Sequence, residues 1–151
     1  WPLVQRMAGQ LENWCESDLL SSLIARLRED DPARVEPVLC QWNGAGEPWL
    51  RRQSVVSLFY YQAQRRQPPT PETVFELLEP LLEDDAHYVQ KGVGWTLREA
   101  VQVYPEATLA FVETHLARLS AVAFSTAMEK VDGERKRHYK ALRRAARITI
   151  R

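Results

Sequence analysis

The sequence predicts an all-α protein built from stacked helix pairs, and three observations predict it. Apolar residues recur at spacings of three and four, the period of an amphipathic helix, and no segment alternates as a strand would. The 9 prolines and 6 glycines divide the 151 residues at short intervals, as helix starts and ends do. A weak internal repeat also relates two of the predicted helices. This length fits one domain with a usable core.

The predicted helices of the first half each follow a capping residue or a proline. An apolar stripe follows Ser17, which is a plausible N-cap, and stops at Pro32. A second helix runs from Pro32 to Trp42. Pro48 then stands at a helix start, where its missing N–H costs no hydrogen bond. We expect that helix to reach about Arg66.

The second half continues the pattern after a proline-rich connection. Pro80, inside the helix expected from Glu72 to Glu83, predicts a kink or a break. The other expected helices are His87 to about Tyr104, Pro105 to about Leu119, a short one through Val131 and a basic one after Gly133.

An offset of 39 residues lays Trp49-Leu50-Arg51-Arg52 over Tyr88-Val89-Gln90-Lys91 and brings Leu58 onto Leu97. This offset falls within the span of HEAT-type helical repeats. Such helix pairs stack into a solenoid with an extended concave surface. We therefore expect a single HEAT-like helical-repeat domain over residues 1–151. Because the chain opens on Trp1 rather than Met, in what resembles the start of a packed helix, we also expect residues upstream of Trp1 to have been removed.

Charge is balanced overall but unevenly distributed. Lys plus Arg and Asp plus Glu are both 20, which argues against a simple basic DNA-binding domain. All the charged residues from Glu72 to Asp85 are acidic. The segment from Lys130 to Arg151, by contrast, contains nine basic residues and only two acidic ones. This asymmetry favours a one-faced electrostatic footprint, with a solvated basic helix as the alternative.

Cysteine and histidine usage points away from disulfides and metals. Cys15 and Cys40 form no CxxC motif, and we expect reduced, buried thiols in a cytosolic (cytoplasmic) protein. His87, His115 and His138 are too scattered for a metal site, so no metal and no cofactor are expected. No apolar run approaches the ~20 residues of a membrane span, so no membrane is expected. A monomer is the default expectation.

Three segments carry the candidate chemistry, each with a structural alternative. Trp14 precedes Asp18 by one helical turn, and Trp49 precedes Arg52 by three residues, which places aromatic and ionic groups on shared helix faces. Helix capping or a solvated face explains the same residues locally. Gly92 and Gly94 interrupt a helix at about 1 kcal/mol each, so either a neighbouring helix or a ligand approaches closely there.

These residues, taken in order, resemble the AlkD family of HEAT-repeat alkylpurine DNA glycosylases, within the wider DNA alkylation repair family. The likeness runs from about Trp14 to Lys130, and because members of that family have additional N-terminal helices, it implies that the full protein has them too. It is carried by the Trp-x-x-x-Asp spacing of Trp14 and Asp18, by Arg52 of Trp-Leu-Arg-Arg, and most strongly by Gln90-Lys91-Gly92-Val93-Gly94-Trp95.

The resemblance implies a monofunctional glycosylase that excises N3- and N7-alkylated purines from alkylated double-stranded DNA without flipping the base into a tight pocket. It implies that Asp18 is the catalytic carboxylate and that Trp14 and Trp95 are aromatic walls. Arg52 and Arg98 would hold the DNA backbone, and we predict that Arg51, Tyr88 and Lys91 add to the DNA-binding surface.

Two other functions remain open at this stage. The same tryptophans and basic helix would serve a non-catalytic module for DNA of unusual structure. The neutral net charge and the acidic segment from Glu72 to Asp85 would instead suit a helical scaffold for a protein partner.

Overall fold

The computed structural model describes residues 1–59 and 66–149, and over these ranges the chain is an all-α helical-repeat solenoid. Each of the first six helices packs on the helix that follows it, and apolar side chains from almost every helix meet in one continuous core. The helices are α1 (Pro2–Ala8), α2 (Trp14–Asp30), α3 (Pro32–Asn43), α4 (Pro48–Val56), α5 (Pro71–Leu78), α6 (His87–Val103), α7 (Pro105–Thr114), α8 (Ala121–Ala127) and α9 (Gly133–Thr149).

The N-terminus of α2 lies one turn earlier than the sequence predicts. Asn13 is the N-cap, and its side-chain oxygen accepts hydrogen bonds from the amides of Cys15 and Glu16. The assignment of Ser17 as the cap is therefore wrong. Ser17 lies inside the helix and is fully buried, and its hydroxyl accepts hydrogen bonds from the side chains of Arg52 and Gln53 on α4. As a result Trp14 and Asp18 lie on one helix face.

Prolines set several of the other boundaries. Pro48 occupies the first turn of α4, as predicted. The expected break at Pro80 is confirmed, because α5 ends at Leu78 and a single 3-10 turn follows over Glu79–Leu81. α4 ends at Val56, short of the expected Arg66, and residues 60–65 of that expectation lie outside the described residues. α7 likewise ends at Thr114 rather than near Leu119.

The centre of the solenoid is α6, which packs on α4 on one side and on α8 on the other. A Cβ atom on Gly94 would lie 2.7 Å from the carbonyl oxygen of Ala123, so this glycine lets α8 approach the backbone of α6. A Cβ atom on Gly92 would lie 3.3 Å from Cγ of Arg52. Both glycines therefore make room for neighbouring protein groups, which decides in favour of the packing alternative.

The predicted repeat corresponds to neighbouring helices. Trp49 of α4 and Tyr88 of α6, which the offset aligns, stack with ring centroids 5.1 Å apart. Leu58 and Leu97, also aligned by it, are both fully buried. The two aligned segments thus lie side by side in the stack.

The two cysteines are free thiols, but both are exposed, so the expectation of buried thiols is wrong. Each lies on a helix face that turns to solvent. Among the described residues, no helix is long and apolar enough to cross a bilayer. In the same part of the chain, no three His, Cys, Asp or Glu residues cluster as metal ligands would.

Candidate functional site

A cleft of about 500 Å³ opens where α2, α4, α6 and the end of α8 meet. The cleft brings together seven of the eight residues that the sequence predicts for the site, and adds three others. Its lining consists of Trp14, Asp18, Arg52, His87, Tyr88, Lys91, Trp95, Arg98, Thr126 and Glu129.

Asp18 presents an accessible carboxylate to this cleft. Its side chain is 52% exposed, and Oδ1 accepts a hydrogen bond of 2.6 Å from a terminal nitrogen of Arg52. The other oxygen, Oδ2, has no hydrogen-bond partner among the residues that the structure describes. One carboxylate oxygen is thus fixed, and the other remains available to a ligand or a water molecule.

The side chain of Arg52 is only 7% exposed, and each of its three nitrogens is engaged. Nε donates to the Ser17 hydroxyl at 3.0 Å, and the second terminal nitrogen donates to the carbonyl of Tyr88 at 2.8 Å. Gln53 adds hydrogen bonds to the carbonyl and hydroxyl of Ser17. This buried network ties α2, α4 and α6 together directly beneath Asp18. The prediction that Arg52 also holds a phosphate stays a prediction.

Two tryptophans share the cleft with Asp18. Trp14 is 54% exposed, an unusual position for so large an apolar side chain, and Trp95 is partly buried against the core. Both also line an adjoining recess of about 300 Å³, again with Asp18. Asp18 therefore lines two depressions, and the same two indole rings line both of them. Such rings attract a cation electrostatically.

A second aromatic group lines the start of α6. Tyr88 stacks on Trp49, and the ring of His87 meets Tyr88 edge-on at 5.3 Å. Lys91, one turn along the helix, is exposed and makes no ion pair with any described residue. This edge of the cleft therefore offers aromatic faces beside a free cation.

Arg98 lies at the other edge of the cleft, between two carboxylates. It pairs with Glu129 at 2.7 Å and with Glu99 at 3.3 Å, and its guanidinium carbon lies 6.0 Å from the Trp95 ring centroid. Its side chain is 19% exposed, whereas that of Glu129 is 50% exposed. A phosphate that binds Arg98 must compete with the accessible Glu129 carboxylate for the same guanidinium.

Arg51 is the one predicted site residue that the structure places outside the cleft. Its guanidinium forms a two-point ion pair with Asp84 at 2.6 and 3.2 Å and donates to the carbonyls of Ala45 and Gly46. The hydrogen bond to Asp84 raises the pKa of Arg51 above its usual value. In this position Arg51 joins the loop before α4 to the loop before α6.

Sequence reasoning missed His87, Thr126 and Glu129. The signal for His87 was its position next to Tyr88 at the start of a predicted helix. No local signal marks Thr126 or Glu129, because α8 reaches the cleft only through its close packing on Gly94.

The sequence of the chain matches a known protein family. The model of a family described as DNA alkylation repair enzyme matches residues 1–131, which include every residue that lines the cleft. No curated protein matches this chain.

Proposed function

The chain belongs to the DNA alkylation repair enzyme family, and from that premise we propose that it is a DNA glycosylase that releases N3- and N7-alkylated purines from duplex DNA. The observation that carries the proposal is the exposed carboxylate of Asp18, which shares one cleft with Trp14 and Trp95 and is held from below by the buried Arg52.

The chemistry required is modest. Alkylation at N3 or N7 makes the purine cationic, so the glycosidic bond from C1′ is already weakened. When the bond breaks, its electron pair moves onto the base, which leaves as a neutral alkylpurine. The positive charge passes to C1′ and the ring oxygen of the sugar. Water then adds to C1′ and loses a proton, which leaves an abasic site.

Asp18 is suited to the step in which the charge reaches the sugar. A fixed carboxylate stabilises an oxocarbenium-like transition state and accepts a hydrogen bond from the attacking water. Its free Oδ2 is available for both tasks, and the bond from Arg52 to Oδ1 holds its orientation. The stabilisation is electrostatic, so it grows as the charge develops on the sugar.

The two tryptophans are suited to a cation before the bond breaks. Each contact between a cationic base or its sugar and an indole face contributes about 0.5 to 2 kcal/mol. Trp14 is accessible over half of its surface and therefore requires little rearrangement to make that contact. The cleft and the adjoining recess are both open to solvent, which suits recognition of a lesion without base flipping.

The cations at the two edges are suited to the DNA backbone. Lys91 is unpaired among the described residues, and Arg98 is able to exchange Glu129 for a phosphate. Such contacts fix the register of the duplex without reading its sequence. Arg52 acts in this proposal chiefly by positioning Asp18.

The test is mass spectrometric detection of free 7-methylguanine and 3-methyladenine after the protein is incubated with methylated duplex DNA. The parent is compared with Asp18→Asn, which keeps an oxygen for Arg52 but removes the negative charge. We expect release by the parent and none by the variant, with DNA affinity unchanged or raised because a charge near phosphate is lost.

Glu76→Gln is the matched control, because it removes one negative charge from an exposed site on α5 outside the cleft. It should release both bases at the rate of the parent. If Asp18→Asn released the bases as fast as the parent, the assignment of Asp18 as the catalytic carboxylate would be wrong. No release by a folded parent that still binds the duplex would replace the glycosylase with a non-catalytic DNA-binding protein.

A further inference from the structure

The part of the chain that matches the family is acidic. Residues 1–131 contain 12 Lys and Arg against 18 Asp and Glu, a net charge of −6. Residues 132–151 contain 8 against 2, a net charge of +6. A polyanion is therefore repelled by the average charge of the part that holds the cleft, and the compensating charge is concentrated in the last helix.

The amphipathic α9 presents this charge in an organised way. After Glu134 at its start, the helix contains no further acidic residue. Arg137, Lys140 and Arg144 are exposed and follow the three- and four-residue spacing that places side chains along one face. None of these three makes an ion pair or side-chain hydrogen bond with another described residue. Arg135, by contrast, is paired with Glu106 at 2.9 Å.

A depression of about 210 Å³ lies beside this face, and cations and an aromatic ring line it. Its lining residues are Phe124, Lys140, Arg143 and Arg144, with no carboxylate among them. The guanidinium of Arg143 lies 4.5 Å from the centroid of the Phe124 ring, and one of its nitrogens donates to the carbonyl of Leu119 at 2.6 Å. Arg143 is thus held in place, whereas the ends of the two exposed cations are free to bind an anion.

We propose that α9 and this depression form a second binding site for the DNA backbone, in which Lys140 and Arg144 contact phosphates outside the segment that the cleft holds. The inference rests on the proposed function, because duplex DNA is the polyanion that the cleft would hold. An added phosphate site would supply affinity that the acidic first 131 residues do not supply alone, since cations that neutralise phosphates release condensed counterions.

The experiment compares the parent with Lys140→Gln/Arg144→Gln. The control is Arg6→Gln/Arg34→Gln, which removes two exposed, unpaired cations from α1 and α3 and so changes the net charge equally. Fluorescence anisotropy gives Kd for an undamaged duplex at several salt concentrations. Single-turnover release of 7-methylguanine at saturating DNA gives the rate of chemistry. Thermal unfolding shows that both variants are folded.

For the α9 variant we expect Kd to rise about tenfold and the slope of log Kd against log salt to fall by about 2, one unit for each lost phosphate contact. The control should match the parent. The rate at saturating DNA should also be unchanged, because neither residue lies in the cleft.

Unchanged Kd and slope in the α9 variant would overturn the proposal, even with excision intact. An equal loss of affinity in the control would overturn it too, since the effect would then be one of net charge. Loss of binding to vesicles of phosphatidylcholine and phosphatidylglycerol, with no loss of DNA binding, would assign α9 to a lipid surface instead. Failure of the parent to release any base, with the α9 effect on Kd intact, would refute only the glycosylase.

Discussion

Two glycines on α6 provide a stringent test of the packing, because the same substitution two residues apart should have different effects. In Gly94→Ala, the new methyl group would lie 2.7 Å from the carbonyl oxygen of Ala123 and 2.8 Å from Cβ of Thr126. These atoms belong to the backbone of α8 or are the Cβ of a side chain. They cannot move aside by rotation about a side-chain bond, so α8 itself would have to shift. In Gly92→Ala, the nearest atoms are Cγ1 of Val56 at 3.2 Å and Cγ and a terminal nitrogen of Arg52, both at 3.3 Å.

The magnitudes follow from two opposing terms. Alanine gains about 1 kcal/mol over glycine inside a helix. Overpacking costs roughly 1 to 3 kcal/mol, and the upper value applies at Gly94, where backbone must move. The free energy of unfolding of Gly94→Ala should therefore fall by about 2 kcal/mol, and Tm by about 4 to 8 °C for a chain of this length. Gly92→Ala should keep its Tm within about 2 °C of the parent. The cost of moving the neighbouring side chains by a few tenths of an ångström offsets the gain in helix propensity from glycine to alanine.

Thermal and urea unfolding of the two variants beside the parent measure these effects. Gly92→Ala should nevertheless lower single-turnover excision, since the methyl group presses on the Arg52 side chain that positions Asp18. A Gly94→Ala protein as stable as the parent would refute the close contact of α6 and α8. A loss of stability in Gly92→Ala as large as in Gly94→Ala would refute the distinction between side-chain and backbone neighbours.

Two further predictions concern single charges. Glu129→Gln frees Arg98 from its 2.7 Å partner, so we expect Kd for duplex DNA to fall several-fold and its salt dependence to steepen, whereas Glu76→Gln should change neither. Burial raises the pKa of Tyr139, so its contribution to stability is complete below the ordinary value of about 10 and is lost as pH rises through the pKa of the folded state. Tyr139→Phe should therefore reduce the fall of Tm above pH ~10, and an unchanged alkaline profile would contradict this.

The features that the sequence predicted well depend on neighbours along the chain. Helix periodicity, Pro48 at a helix start and the break at Pro80 are local, and all three are confirmed. The position of Trp14 and Asp18 on one helix face is local too, because the two residues are one turn apart in the same helix. The cap of α2 was predicted wrongly because Asn13 and Ser17 are both good capping residues, and only the packing of Ser17 against α4 decides between them.

The features that the sequence could not predict depend on contacts between distant segments. Arg51 and Arg52 are adjacent and chemically alike, yet one pairs with Asp84 outside the cleft and the other with Asp18 inside it. Their directions differ because successive residues on a helix point about 100° apart, so only the positions of α2 and α6 determine what each one meets. Glu129 escaped notice for the same reason, since it meets Arg98 across 31 residues of chain.

The surroundings of Asp18 separate two requirements that conflict in a single side chain. A carboxylate that acts on a DNA lesion must be accessible, but an accessible side chain on a helix surface is free to rotate, and misorientation reduces transition-state stabilisation. Here half of the Asp18 side chain is exposed while its partner Arg52 is almost fully buried and bound to Ser17 and Tyr88. The rigidity therefore comes from below the surface, and the cost of burying the guanidinium is offset by its ion pair with Asp18 and its two other hydrogen bonds. The carboxylate remains open to solvent and substrate, although its orientation is set by the core.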